Sequence, residues 1–168
     1  MTSSQVGKTE VVNNAMGYFV HLRPGPMLVV QPTLDMARSW VTDRLEPMTR
    51  DTAVLGERIA VGRTKAGRAT KQQKTFPGGH LTCVGANSAA GLASRPISKL
   101  AFDEVDRFPL SAGKEGDPVQ LAERRTTTFH DRKILMVSTP TTAGISRIDK
   151  AWKESDRRLY HVPCPHCG

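Results

Sequence analysis

Lys8, Asp103 and Glu104 are the side chains whose types and settings could do chemistry. Lys8 lies in Ser3-Ser4-Gln5-Val6-Gly7-Lys8-Thr9, which ends like the phosphate-binding pattern G-x-x-x-x-G-K-[ST]. Thr2 occupies the place of the first glycine, so the match is partial. In such a loop, backbone N–H groups ahead of a helix bind phosphate oxygens. The lysine neutralises the β- and γ-phosphates and the threonine hydroxyl binds Mg²⁺. That chemistry would assign Ser4, Gln5, Val6, Gly7, Lys8 and Thr9 to ATP. Gly-Lys-Thr also opens ordinary helices, so the tripeptide alone decides nothing.

Asp103 and Glu104 follow the apolar run Ile97–Phe102. A strand ending there puts two carboxylates at the sheet edge where open α/β sheets bind ligands. Asp103 would hold Mg²⁺ through water, and Glu104 would orient and deprotonate an attacking water. Adjacent like charges also favour a cation between them. Asp-Glu alone is common; its placement downstream of Gly-Lys-Thr, with a strand and a helix between, is far less so. A third apolar run, Ile134–Val137, leads into Ser138-Thr139-Pro140-Thr141. Hydroxyls there could sense a γ-phosphate or its water, or simply form a Ser/Thr-rich turn.

These groups need elements to position them. The spacing of Val12, Ala15, Met16, Phe19 and Val20 predicts a helix over 8–21. Met27–Val30, between prolines, reads as a buried strand. Leu34–Leu45 reads as a helix with Met36, Trp40 and Val41 inward. Lys71–Phe76 and His80–Gly85 flank Pro-Gly-Gly as a hairpin, and the basic, glycine-containing stretch before it reads as a loop. Asp117 caps a helix to about Thr128, with Pro118 at its first position. Ser146 caps a short helix with Ile148 and Trp152 inward, and a last strand is expected near Leu159–Val162. Apolar strands alternating with amphipathic helices predict an α/β fold with a mainly parallel sheet.

The 168 residues suffice for one ordinary domain with a core. The net charge is +8, and the segment from Arg58 to Phe102 contains no Asp or Glu. A one-sign block of that kind suits a polyanion, and nucleic acid is the expected partner, contacted by Arg63, Lys65, Arg68, Lys71 and Lys74. A solvated basic loop without a partner would have the same composition. No apolar run could span a membrane and no signal peptide opens the chain, so an intracellular protein is expected. Three cysteines without a secretion signal argue against a disulfide framework. Cys83 is expected in the core, and Cys164-x-x-Cys167 is half of a tetrahedral zinc site.

The stretches "SSQVGKTE", "VVQPT", "PGGHLTCVGANS", "LAFDEVDRFP", "EGDPVQLAERR", "KILMVSTPT", "GISRI" and "CPHCG" occur in this order along nearly the whole chain. Together they resemble the large terminase subunit of tailed bacteriophages, in the lambda-like packaging group. The resemblance implies a P-loop ATPase that moves double-stranded DNA into a procapsid in the host cell cytoplasm. It implies ATP and Mg²⁺ as cofactors. It implies the small terminase subunit and the portal as partners, with the chain in a homo-oligomeric ring. Lys8 and Thr9 match the nucleotide loop, Asp103 the Mg²⁺ residue, Glu104 the catalytic carboxylate, and Ser138 with Thr139 the coupling motif. Many relatives carry an arginine in the loop where Ser4 stands, so another arginine is needed, and Arg95, Arg124, Arg125 and Arg147 are candidates. "VVQPT" before a helix also resembles a helicase strand, leaving a helicase-like ATPase or an inactive remnant as alternatives.

The resemblance also sets an expectation about extent. Residues 1–163 correspond to the ATPase domain, and 164–168 to the start of a cysteine-rich segment. A second Cys pair, which Zn²⁺ would need in a longer parent, and a nuclease domain are not in the sequence. The strand that normally carries the nucleotide loop is expected in the middle of the sheet with neighbours on both sides. Only Met1 and Thr2 precede the loop pattern here, so a gap in the sheet and poor folding of the isolated chain are expected.

Overall fold

The computed structural model describes residues 7–66, 72–159 and 163–166, with the side chains of 60–66 left aside. Five strands make one sheet in the order β2-β3-β1-β4-β5. They are β1 (Pro26–Gln31), β2 (Gln73–Phe76), β3 (Gly79–Gly85), β4 (Lys99–Asp103) and β5 (Lys133–Val137). β1 pairs in parallel with β3 and with β4, and β4 pairs in parallel with β5. β2 joins β3 as an antiparallel hairpin at one edge. The mainly parallel α/β fold read from the sequence is the fold observed.

The central strands β1 and β4 read as apolar runs because both their faces are covered. On one face, Val12, Met16 and Val20 of α1 (Lys8–Leu22) pack against Met27, Val29, Leu81 and Ala101. Trp40 and Leu45 join the same cluster. On the other face, Leu28, Val30, Leu100 and Phe102 meet Leu92 of α5 (Ala89–Ala93), Val119 of α6 (Pro118–Glu123) and Ile148 of α7 (Arg147–Glu154). Cys83 is fully buried, as expected, and burial foremost, with the charge of Asp103 second, pushes its thiol pKa up.

Several expectations change. The segment after β1 forms α2 (Leu34–Trp40), a π-helical turn over Val41–Leu45, and α3 (Glu46–Asp51). Ala37 faces inward there, and Met36 is exposed. The basic stretch is not a loop over its first part: α4 runs from Ala53 to Ala66. Leu55 and Ile59 anchor it on the α1 side of the sheet, which gives a helix a buried face despite its glycines. The helix after Asp117 is shorter than expected, turning into a 3₁₀ turn at Arg124–Thr126. Leu159 is exposed and irregular, and the rest of the strand expected there lies outside the described residues.

The described strands leave no gap. Each neighbouring pair has a continuous register, and β5 forms an edge, with Lys133 and Ile134 exposed. β1 pairs directly with β4, and β4 with β5, so the loop-bearing strand is not missing from between those; the last expected strand, its other possible neighbour beyond β5, lies largely outside the described residues.

Candidate active site

The C-terminal ends of β1, β4 and β5 and the N-terminus of α1 meet at one edge of the sheet. Gly7 caps α1 with φ 77°, a left-handed conformation that glycine adopts without strain. Its carbonyl accepts from the N–H of Glu10 and Val11. This turn sends Lys8 and Thr9 back over the ends of β4 and β5. Ser4, Gln5 and Val6 lie outside the described residues.

Lys8 Nζ donates to Thr139 Oγ1 at 2.6 Å and pairs with Glu104 Oε1 at 2.9 Å. Thr9 Oγ1 lies 3.4 Å from Asp103 Oδ2, which also accepts from Gln31 Nε2 at 3.1 Å. Residues drawn from four separated stretches of sequence thus form one contiguous polar cluster. The two adjacent carboxylates reach it by a backbone device. Asp103 is the last residue of β4, and Glu104 takes φ 56°, ψ 48°, a left-handed conformation uncommon outside glycine and asparagine. That turn brings the Glu104 carboxylate onto Lys8 rather than continuing the strand.

Asp103 is 4% exposed and its Oδ1 is buried with no hydrogen-bond partner. Its pKa is raised, first by burial and then by the charge of Glu104, against the lowering effect of Gln31, Thr9 and Lys8. An orphaned carboxylate oxygen beside a second carboxylate and a hydroxyl is a donor set suited to a hard divalent cation. The residues present therefore fit Mg²⁺.

Ser138 is fully buried and serves the loop rather than the open site. Its Oγ accepts from the N–H of Asp106 at 3.2 Å and donates to the Thr139 carbonyl at 3.1 Å. Gln31 and Asp106 have no local sequence signal that would have singled them out. Nor does Arg107, whose Nε is 3.7 Å from Glu104 Oε2 and whose side chain is largely exposed.

The arginine candidates do not converge on this site within the chain. Arg95 lines a small cavity with His80 and Ile97, and Arg125 accepts the Ile97 N–H through its carbonyl. Arg124 borders a surface cleft with Arg132 and Ile134. All three lie toward the N-terminal ends of the strands, opposite Lys8. Arg147 is nearer, but its guanidinium donates to the carbonyls of Phe108 and Pro109, each at 2.9 Å, and to Asp117 at 3.2 Å. Those bonds hold the 108–117 segment to α7.

One member of the DNA-facing set is paired within the fold. Lys74 is 8% exposed and its ammonium pairs with Glu46 at 2.8 Å. Its ammonium is thus partnered within the fold, and Lys74 is left out of the DNA contacts proposed below. Lys99, from the same acid-free block, is buried and pairs with Asp131 at 2.8 Å. Arg63 and Lys65 fall on α4 where side chains are left aside, and Arg68 and Lys71 lie outside the described residues. Cys164 is exposed, Cys167 lies outside the described residues, and no cluster of three or more metal-ligating side chains occurs among the described ones. No helix among them is long and apolar enough to cross a membrane.

The family model for the ATPase domain of the phage terminase large subunit gpA matches residues 1–168. The chain belongs to that family. Among curated proteins it is 30% identical to the terminase large subunit of Enterobacteria phage P21 and 27% identical to that of Escherichia phage lambda. Each match covers 99% of this chain and 26% of the relative, so the chain spans about a quarter of their length. Among solved structures, the ATPase domain of the Thermus phage P74-26 large terminase superposes with a TM-score of 0.59 at 18% identity, over 84% of this chain and 59% of that one. The large terminase of a second thermophilic bacteriophage, solved in complex with ADP, gives 0.53 at 18% identity, over 82% of this chain and 32% of that one. These likenesses establish the fold as that of terminase ATPase domains. Family membership over the full chain decides against the helicase-like reading.

Proposed function

We propose that this chain hydrolyses ATP at the Lys8–Thr9–Asp103–Glu104 cluster and that hydrolysis drives double-stranded DNA into a procapsid. The observation that carries the reading is the convergence of those four side chains with Thr139 at one sheet edge. The N–H groups opening α1 would bind phosphate oxygens, aided by the positive end of the helix dipole. Thr9 and Asp103 are the residues that would hold Mg²⁺, whose charge would neutralise the phosphates. Lys8 now bridges Glu104 and Thr139; a triphosphate offers it a stronger partner, and taking it frees the Glu104 carboxylate to accept a proton from water. Ser138 and Thr139 would report that exchange to the rest of the domain.

The partners follow from the family: DNA, the small terminase subunit and the portal of the procapsid, with copies of the chain in a ring in the host cytoplasm. Arg63, Lys65, Arg68 and Lys71 are the proposed DNA contacts. Because Arg95, Arg124 and Arg125 stand away from Glu104 of their own chain, any of them serving as a transition-state arginine would serve a neighbouring copy. Glu104→Gln tests the reading. ATP binding should persist while turnover falls about 10²–10⁴-fold, the usual loss with a general base. Turnover near that of the wild type would refute the role given to Glu104.

A further inference from the structure

We propose that Asp106 is a positioning residue that locks the Ser138–Thr141 loop and the start of α7 to the turn bearing Glu104. This rests on the ATPase reading above and adds a residue to it. Asp106 sits two positions after Glu104, in the single 3₁₀ turn Val105–Arg107, which closes with the Arg107 N–H donating to the Glu104 carbonyl at 2.9 Å.

The N–H and both carboxylate oxygens of Asp106 are used. Its N–H donates to Ser138 Oγ at 3.2 Å. Its Oδ2 accepts from the Thr141 N–H at 2.9 Å and from Thr141 Oγ1 at 3.1 Å. Its Oδ1 accepts from the Ile148 N–H at 2.8 Å, in the first turn of α7. Only a side chain with two acceptor oxygens and no donor can make all of these at once. Burial works to raise the Asp106 pKa, but hydrogen bonds from Ser146, Ile148 and Thr141 outweigh it and hold the group ionised below the usual carboxylate range.

The bonds form a continuous series. Lys8 holds Thr139, Ser138 holds the Thr139 carbonyl and accepts from the Asp106 N–H, and the Asp106 carboxylate holds Thr141 and Ile148. When Lys8 leaves Thr139 for a phosphate, the loop gains freedom at one end. Asp106 is the fixed point that makes the change pass into α7 rather than dissipate in the exposed Thr141–Ile145 stretch.

Asp106→Asn supplies the test in the intact protein, since its amide would set a donor against either Thr141 or Ile148. Nucleotide affinity, read with a fluorescent ATP analogue, should stay within about threefold, because Lys8, Thr9 and Asp103 are untouched. The DNA-stimulated kcat should fall about tenfold, with KM for ATP little changed, as a charge-assisted hydrogen bond is lost. Thr141→Val should reproduce part of the loss, and the double variant should lose no more than Asp106→Asn alone. Glu104→Gln is the control: if it hydrolyses ATP normally, the assignment of the hydrolytic site on which this proposal rests fails, whatever Asp106 does. With that control inactive, an unchanged kcat, losses that add in the double variant, or parallel damage to affinity and melting temperature would overturn the proposal. Should Asp106→Asn not fold, Thr141→Val removes one exposed hydroxyl and decides alone by the same split of kcat from KM.

Discussion

Asp103→Asn is expected to stabilise the protein without nucleotide and to leave it weaker than the wild type with nucleotide. In the wild type, Asp103 Oδ2 accepts from Gln31 at 3.1 Å and lies 3.4 Å from Thr9, while Oδ1 is buried without a partner. A buried acceptor left unsatisfied costs about 1–3 kcal/mol, more when charged. The amide removes the charge and its repulsion from Glu104, with the smaller attraction of Lys8, and exchanges one carboxylate oxygen for a neutral N–H₂ group that is cheaper to bury than a charge. Against that, the Gln31 bond loses its charge assistance, roughly 1 kcal/mol; the long Thr9 contact contributes little. The net gain is about 1 kcal/mol, or about 2–4 °C in melting temperature for a domain of this size. Mg·ATP at about 100 times its Kd adds about 2.7 kcal/mol to the wild type and little to a variant with a crippled metal site, so the order of stability reverses. Differential scanning fluorimetry in EDTA, then with Mg²⁺ and a non-hydrolysable ATP analogue, reads both halves. The pH dependence has a definite sign. The folded-state pKa of Asp103 lies above its unfolded value, so the ionised carboxylate opposes folding at neutral pH. That cost disappears as pH falls through the raised folded pKa toward the ordinary aspartate value of 3.8, and the variant's advantage should vanish with it. A variant that melts below the wild type in EDTA at about pH 7 would refute the reasoning.

Arg147→Ala removes hydrogen bonds to Phe108, Pro109 and Asp117 and is expected to cost about 2–4 kcal/mol of stability, measured by denaturant unfolding. Below its melting temperature its ATPase should stay within about tenfold of the wild type, far from the roughly 10³–10⁵ attached to a transition-state arginine. Reversing the charges of Arg63, Lys65, Arg68 and Lys71 should weaken binding to duplexes of any sequence and flatten the dependence of log K on log salt. Lys74→Met should leave that slope unchanged, because the Lys74 ammonium is already paired with Glu46.

The sequence disclosed the parts of the fold that rest on local pattern. Met27–Val30 announced a strand because a parallel strand buried on both faces is a continuous apolar run, Ile134–Val137 announced one by the same run although β5 is only partly covered, and Ser146 announced α7 because its Oγ accepts from the Asp149 N–H. The convergence of Lys8, Thr9, Asp103 and Glu104 was legible because each sits where a motif meets an element end. Strand order was not, since pairing partners are chosen by long-range contacts: the order β2-β3-β1-β4-β5 has no local signature. α4 was hidden by glycines and by a basic composition that looks solvated, although Leu55 and Ile59 give it a buried face. Lys74 read as surface charge because its partner, Glu46, is distant in sequence. Asp106 and Gln31 were silent for the same reason, their hydrogen bonds reaching 35 and 72 residues away.

The left-handed backbone of Glu104, φ 56°, bears on how this domain could be improved by selection. A non-glycine residue held there costs on the order of 1 kcal/mol, and glycine or asparagine would relieve it. Asp103, next to it, is likewise a charge that the empty fold would be better without. Replacing Glu104 would also strip Lys8 of the carboxylate it pairs with at 2.9 Å, so the gain is concentrated at Asp103. A library sorted for heat resistance or expression yield would therefore be enriched for changes at Asp103, which under the proposed function would remove a Mg²⁺ residue, and a directed-evolution campaign would need nucleotide present during sorting to keep stability and turnover together.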